Sequence, residues 1–199
     1  MKLILTLILI CFSFFCHSQT ANEHFNNAQA KYKLGDYRGA ILDYTKSIET
    51  IPNFAAYFNR GLIKHQLEDY RGAVMDFTKA IGLDKGVAEA YTERGKVKGK
   101  LQDYRGAIQD YSKAIELEPN NLEAYTNRGV MKASLKDSDG AVKDFNKVIE
   151  LDPANSNAYL YRGYAKTELG DKNGGCLDLS KAGEFGHRDA YDLIEKLCN

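Results

Sequence analysis

The sequence has no tryptophan, only three prolines, four cysteines and no net charge. Because proline breaks helices by removing an amide donor, such scarcity allows long helices almost everywhere. The balance of 27 basic and 27 acidic residues argues against a partner chosen by bulk electrostatics, such as duplex nucleic acid or an anionic membrane. A hydrophobic fraction of 44 % also excludes a disordered chain. The 199 residues are therefore expected to form one folded domain or one modest array.

The N-terminal segment, 1–18, has the pattern of a secretory signal peptide. Lys2 supplies positive charge, an apolar run continues to Phe15, and small residues precede a cleavage point before Gln19. The run is shorter than the roughly 20 residues that span a bilayer, which disfavours a transmembrane anchor. A lipid anchor is the other alternative, although neither Cys11 nor Cys16 follows a small residue. We expect cleavage, a periplasmic or secreted chain, and no stable membrane insertion afterwards.

An internal repeat of about 34 residues runs through the remainder of the chain. The motif Asp36-Tyr37-Arg38-Gly39-Ala40 returns, with gradual loss, in segments that begin at Asp69, Asp103, Asp137 and Asp171. A second motif, Tyr-x-x-Arg-Gly, keeps step with it and begins at Tyr57, Tyr91, Tyr125 and Tyr159. All three prolines, Pro52, Pro119 and Pro153, fall at one position of the repeat. The repeats span 21–53, 54–87, 88–121, 122–155 and 156–189, and each carries two helical patterns separated by a turn.

These motifs resemble the tetratricopeptide repeat (TPR) family. The family pattern of an aromatic residue, Leu-Gly, Ala, a second aromatic, Ala and Pro becomes, in the third repeat, Tyr91, Arg94-Gly95, Ala107, Tyr111, Ala114 and Pro119. Arg replaces the usual Leu in four repeats, and the first and fifth repeats depart furthest from the pattern. The resemblance covers residues 21–189 and implies an all-α fold, an α-solenoid of five helix-turn-helix units over 19–189.

A capping helix over 190–199 is expected to follow the last repeat. A terminal repeat needs a cap with a polar outer side, because no successor covers its last face. Ala190, Leu193, Ile194 and Leu197 are spaced to form one apolar stripe on such a helix.

Arginine and aspartate recur in phase on the two helices of the repeats. Arg60, Arg94, Arg128 and Arg162 lie on first helices, and each follows an aspartate of the preceding repeat at a nearly constant spacing. The matched periodicity favours a ladder of structural Arg–Asp pairs between helices. The alternative is a row of basic ligands for an acidic partner.

Two cysteines remain after signal removal, Cys176 and Cys198. One opens the last second helix and the other ends the cap, and these two elements should pack together. In an oxidising compartment we expect a disulfide between them. Two buried free thiols are the alternative.

Catalysis, a cofactor and metal binding find no support in the sequence. His24, His65 and His187 lie in different repeats and share no ligand spacing, and Cys176 has no partnered histidine in a motif. We therefore predict a protein that is not an enzyme.

The resemblance implies that the first helices build an inner wall that binds an extended peptide or a partner's helix. The candidate wall consists of Phe25, Gln29, Tyr32, Phe58, Asn59, Leu62, Glu93, Lys96, Asn127, Val130, Tyr161 and Tyr164. Flanking segments could instead bury residues near the two ends, such as Phe25 and Tyr164.

One binding mode of the family is disfavoured by charge. Members that capture a chaperone's C-terminal carboxylate use Lys and Asn on the first repeat, Asn on the second, and Lys and Arg on the third. Asn59 matches this pattern, but the third repeat has Glu89 and Glu93, which would repel a carboxylate. The first-repeat positions hold Phe25 and Gln29.

We expect an exported, non-catalytic scaffold for an unidentified protein or peptide, with no nucleic acid partner. Two alternatives remain open: a structural component of a cell-envelope assembly, and a glycan-associated envelope protein. The sequence leaves the oligomeric state undetermined.

Overall fold

A computed structural model of the chain describes residues 19–198, so the predicted signal peptide, residues 1–18, lies outside the described residues. Every regular element in this range is an α-helix. The predicted all-α fold of TPR helix pairs, an α-solenoid class, is confirmed. The eleven helices of residues 19–198 are α1 (19–33), α2 (Tyr37–Thr50), α3 (Phe54–Gln66), α4 (Tyr70–Leu83), α5 (Ala88–Lys100), α6 (Tyr104–Leu117), α7 (Leu122–Ser134), α8 (Ser138–Leu151), α9 (Ser156–Glu168), α10 (Lys172–Glu184) and α11 (Ala190–Cys198).

The helices form two compact units, divided between Gly86 and Val87. In the first unit α3 packs on both α2 and α4. In the second unit each first helix packs on the second helix of its repeat, and the short α11 packs on α10. Among residues 19–198, no helix is both long enough and apolar enough to cross a bilayer.

The recurrent Asp-Tyr-Arg-Gly motif starts the second helix of each repeat. The Asp36 carboxylate accepts a hydrogen bond from the Gly39 amide at 2.9 Å, which satisfies one of the amide donors left open at a helix start. The same cap recurs at Asp69, Asp103, Asp137 and Asp171. Because only Asp and Gly make this contact, both survive in the fourth and fifth repeats, where Tyr and Arg are lost.

Glycine on the first helices allows the two helices of a repeat to approach closely. A β-carbon at Gly95 would lie 2.9 Å from the ring of Tyr111, which is 2 % exposed. In the last repeat a β-carbon at Gly163 would lie 2.9 Å from the backbone oxygen of Gly175. The Tyr-x-x-Arg-Gly motif thus places its glycine where a larger residue would force the helices apart. Gly61 and Gly129 face the rings of Phe77 and Phe145 in the same way.

Candidate functional site

The recurrent arginines make buried ion pairs. The Arg94 guanidinium donates to both carboxylate oxygens of Asp110, at 2.9 Å and 2.6 Å, and lies 5.7 Å from the centre of the Tyr91 ring. Asp110 is 4 % exposed. Such two-pronged pairing fixes the direction of the guanidinium as well as its charge. The same arrangement joins Arg60 to Asp76, Arg128 to Asp144 and Arg162 to Asp178.

The pairing differs from the predicted ladder in its register. Each arginine binds the aspartate on the second helix of its own repeat, instead of an aspartate of the preceding repeat. The preceding repeat contributes a neutral side chain: Arg60 donates to Thr45, and Arg128 donates to Ser112. Arg60 and Arg128 therefore each tie two second helices together, and the paired arginines are not an open row of basic ligands.

A recurrent lysine completes each polar cluster, and the sequence analysis missed it. Lys98 contacts Asp110 at 2.8 Å from one turn beyond Arg94 on the same helix. The available signal was a lysine one helical turn after the arginine in every repeat from the second to the fifth. Lys64, Lys132 and Lys166 make the same contact with the aspartate of their own repeat, and Lys31 does so with Asp43 in the first repeat.

The first unit brings four of the candidate groove residues around one cavity. Gln29, Tyr32, Asn59 and Leu62 line a space of about 210 Å³ between α1 and α3. Tyr44 also lines it, and burial raises the pKa of its hydroxyl while a hydrogen bond with Asn59 opposes the shift. This cavity offers two amides beside aromatic and aliphatic surface, a combination that suits a peptide backbone.

The second unit brings three candidate residues around another cavity. Val130, Tyr161 and Tyr164 line a space of about 290 Å³ between α7 and α9. Phe145 forms part of its wall, with its ring centre 5.6 Å from that of Tyr161. Tyr161 is 37 % exposed and Tyr164 is 41 % exposed. The two tyrosines are therefore open to a ligand and are not buried by flanking segments.

The charged part of the groove in the second unit forms a closed ion cluster. Lys96 contacts Glu93 and Glu123, each at 2.6 Å. Burial works against the charge of Lys96, but the two carboxylates outweigh it and raise the pKa of the ammonium group. A lysine held in this way does not offer an open charge to an acidic ligand.

The structure places other candidate residues outside the open groove surface. Phe25 packs in the core of the first unit, with its ring centre 5.4 Å from that of Tyr44. Phe58 is 8 % exposed and contacts the ring of Phe77. Asn127 is half-buried on α7 and lies outside the lining of the neighbouring cavity. These positions were assigned to the wall because they lie on first helices. That placement alone does not distinguish a residue facing the groove from one facing the core.

Cys176 and Cys198 form a disulfide that ties α11 to α10. The capping helix contributes Ala190, Leu193 and Leu197 to the same apolar cluster as Tyr159 and Leu179. Among residues 19–198 no group of three or more His, Cys, Asp and Glu side chains has the geometry to hold a metal ion.

Comparison with known proteins bears on the repeats directly. Models of the tetratricopeptide repeat match residues 54–86, 88–121 and 122–155. No curated protein matches the chain in sequence.

Solved structures share the fold. A crystal structure of MamA protein has a TM-score of 0.82 and 25 % identity, covering 87 % of this chain and 95 % of that chain. YrrB, described as a TPR protein with an unusual peptide-binding site, has a TM-score of 0.80 and 24 % identity, covering 87 % of this chain and 91 % of that chain. The first TPR of Spaghetti (RPAP3), bound to HSP90 peptide SRMEEVD, has a TM-score of 0.57 and 32 % identity, covering 60 % of this chain and 95 % of that chain.

The repeat motifs, the helix pairs and the matches to repeat models agree with one another. This chain belongs to the tetratricopeptide repeat family, whose members are protein-interaction scaffolds.

Proposed function

We propose that the chain is an exported, non-catalytic scaffold that binds an extended segment of a partner protein in its groove. The observation that carries the proposal is the cavity formed by Val130, Tyr161 and Tyr164 in the second unit. Its aromatic lining is partly open to solvent, and ligand sites are typically concave, apolar surfaces with a few polar groups.

Comparison between repeats supports a binding role for the two tyrosines. The position of Tyr161 is held by Glu93 and Asn127 in the two preceding repeats, and that of Tyr164 by Lys96 and Val130. Helix pairs of the same design therefore form without aromatic side chains at these positions. Since the fold does not require the exposed rings of Tyr161 and Tyr164, contact with a ligand is the better explanation for them.

The groove favours a ligand different from the acidic peptide of the RPAP3 complex. That peptide, SRMEEVD, has three acidic residues among its last four. In this chain the third repeat holds Glu89 and Glu93, and the nearby Lys96 is already paired with two carboxylates. We therefore propose that the second unit accepts an apolar or aromatic side chain of a neutral or basic segment.

The first unit offers a second contact of its own. Gln29 and Asn59 present amide groups beside Tyr32 and Leu62. Amides both donate and accept hydrogen bonds, so this cavity suits a peptide backbone more than one particular side chain.

Selection from an unbiased peptide library tests the groove. The unaltered protein should enrich peptides with an aromatic or large aliphatic residue, and Tyr161→Ala with Tyr164→Ala should weaken their binding at least tenfold, as truncating an interface hot spot does. Tyr191→Ala is the matched control, because this tyrosine is 66 % exposed on the cap and lies outside the cavity lining. Equal loss in the control, or unchanged binding in the double variant, would contradict the proposal.

The same variants separate the alternatives. A structural component of an envelope assembly would keep its partner despite the groove changes, and a glycan-associated protein would retain glycan without enriching peptides.

Export rests on the sequence of residues 1–18 alone. Mass spectrometry of the protein from its native cells should find a chain that begins at Gln19, and an intact Met1 would contradict cleavage.

A further inference from the structure

The outer face of the second helices in the first unit carries exposed apolar side chains between basic ones. On α2 and on α4 a basic, an apolar and a basic residue follow one another at intervals of four residues, so they share one face of each helix. Leu42 is 63 % exposed and Met75 is 69 % exposed. We call these six exposed residues the outer patch: Arg38, Leu42, Lys46, Arg71, Met75 and Lys79.

The two rows of the outer patch lie on two second helices that one arginine side chain joins. The Arg60 guanidinium contacts Thr45 of α2 at 2.7 Å and Asp76 of α4 at 2.6 Å, so one side chain bridges the two helices. Thr45 directly precedes Lys46, and Asp76 directly follows Met75. Leu42 and Met75 occupy equivalent positions on these two joined helices, and each has cations on both sides of it along its own helix.

Comparison with the other repeats shows that the fold does not need these apolar residues. The position of Leu42 and Met75 is held by Gln109 in the third repeat and by Lys143 in the fourth, and both are exposed. The fifth repeat has Leu177 there, but Asn173 replaces the preceding arginine. The complete basic–apolar–basic row occurs only in the two repeats of the first unit, among the five repeats of the sequence.

On α4 the charge of the patch is also less compensated than that of its equivalents, whereas Lys46 on α2 lies 3.8 Å from Asp43. Lys113 pairs with Glu116 at 2.6 Å on α6, and Lys147 pairs with a glutamate at the same spacing on α8. On α4 this glutamate position is Gly82, so Lys79 has no carboxylate one turn further along its helix. Compared with the third and fourth repeats, the second repeat thus has an apolar residue and lacks an acidic one on the same face.

We propose that the outer patch docks the first unit on an anionic lipid surface. Basic residues attract acidic headgroups, and apolar side chains between them enter the boundary between headgroups and acyl chains. Because the whole chain carries no net charge, this attraction is confined to the patch. The patch lies in the first unit, whose helices follow the apolar N-terminal run. The proposal does not depend on the groove.

Vesicle binding by the full chain tests the proposal. Binding to phosphatidylcholine vesicles with about 30 % phosphatidylglycerol is compared with binding to pure phosphatidylcholine, because only the first composition is anionic. The N-terminal run is shared by all variants, so differences between variants report on the patch. We expect stronger binding to the anionic vesicles, and less of it at high salt.

Matched variants locate the effect. Arg71→Gln with Lys79→Gln should lower anionic-vesicle affinity roughly tenfold or more, since each basic residue near such a surface contributes about 1 kcal/mol. Its control is Arg105→Gln with Lys113→Gln, which removes the same charges from a row without an apolar residue and should change affinity less than about twofold. Leu42→Gln with Met75→Gln should also weaken binding, whereas Leu177→Gln should not.

All these substitutions lie on exposed positions, and circular dichroism checks that each variant folds. Equal affinity for both vesicle types would overturn the proposal, as would equal losses in the patch variants and their controls. Binding of an acidic protein through the patch, without vesicle binding, would also overturn it.

Discussion

Removal of the Asp110 carboxylate should destabilise the second unit strongly. Asp110→Ala leaves Arg94 and Lys98 without the group that both of them contact, at 2.6 Å and 2.8 Å. The side chain of Asp110 is 5 % exposed, so water does not replace the lost contacts fully. The variant therefore keeps two cations in a partly buried place without their counter-charge.

The cost follows from the burial of the partners. Removing one member of a buried ion pair typically costs about 3–5 kcal/mol. Arg94 and Lys98 keep 15 % and 18 % of their side-chain exposure, so some water reaches both cations. We therefore expect a loss near the lower limit, about 3 kcal/mol in the free energy of unfolding.

Urea unfolding followed by circular dichroism measures this loss. The control is Glu116→Ala, which breaks a solvent-exposed pair of similar length, 2.6 Å, and should cost at most about 0.5 kcal/mol. If Asp110→Ala were no more destabilising than Glu116→Ala, the buried clusters would not be structural. The recurrent arginines would then be better explained as ligands for an acidic partner.

Four further predictions concern packing, capping, crosslinking and ionisation. Gly95→Ala should cost about 1–3 kcal/mol of unfolding free energy by overpacking, and an unaltered denaturation midpoint would contradict the close approach of the helices. Val87→Asn should stabilise the protein by about 1 kcal/mol, because α5 lacks the side-chain cap that asparagine supplies at the start of its counterpart helices; a lower midpoint would count against this reasoning. Cys176→Ser with Cys198→Ser should cost about 3 kcal/mol, because the unfolded chain is less constrained without the crosslink, and equal stability of oxidised and doubly substituted protein would refute it. Burial raises the pKa of the Tyr111 hydroxyl above its ordinary value of 10.0. The contribution of this hydroxyl to the free energy of unfolding should therefore be complete below pH 10 and fall as the pH rises further. Tyr111→Phe should remove this part of the stability loss at alkaline pH, and an unchanged loss would contradict the reasoning.

The helical architecture was predictable because the repeat shows the same pattern five times. Gly95, Ala107 and Pro119 recur at positions whose physical requirements are strict: close approach, close packing and helix termination. The aspartates of the turn motif were equally visible, and the structure shows that their role is to cap the second helices.

The partner of each arginine was not predictable from periodicity. Because the aspartates recur once per repeat, Arg94 lies almost midway in sequence between Asp76 and Asp110. Sequence spacing alone therefore allows either aspartate as its partner. Only the packing of α5 on α6 selects Asp110, and Lys98 then contacts it from one turn away.

The groove was predicted only in part for a related reason. Helix register places Phe58 and Tyr161 one position apart in the repeat, yet the first is 8 % exposed and the second 37 % exposed. Leu160 occupies the position of Phe58 in the fifth repeat and is 7 % exposed, so this position faces the core in both repeats. Assigning both positions to the groove did not separate these two faces of the first helix. The chain divides into its two units at Gly86, where Lys85 replaces proline and Val87 replaces a capping asparagine.

We propose that a partner segment binds in the groove at the tyrosine cavity of the second unit. Nuclear magnetic resonance titration of the chain with a selected peptide tests it most directly. We expect the largest chemical-shift changes at Val130, Tyr161 and Tyr164. Shift changes confined to the outer helices, with these three residues unaffected, would contradict it.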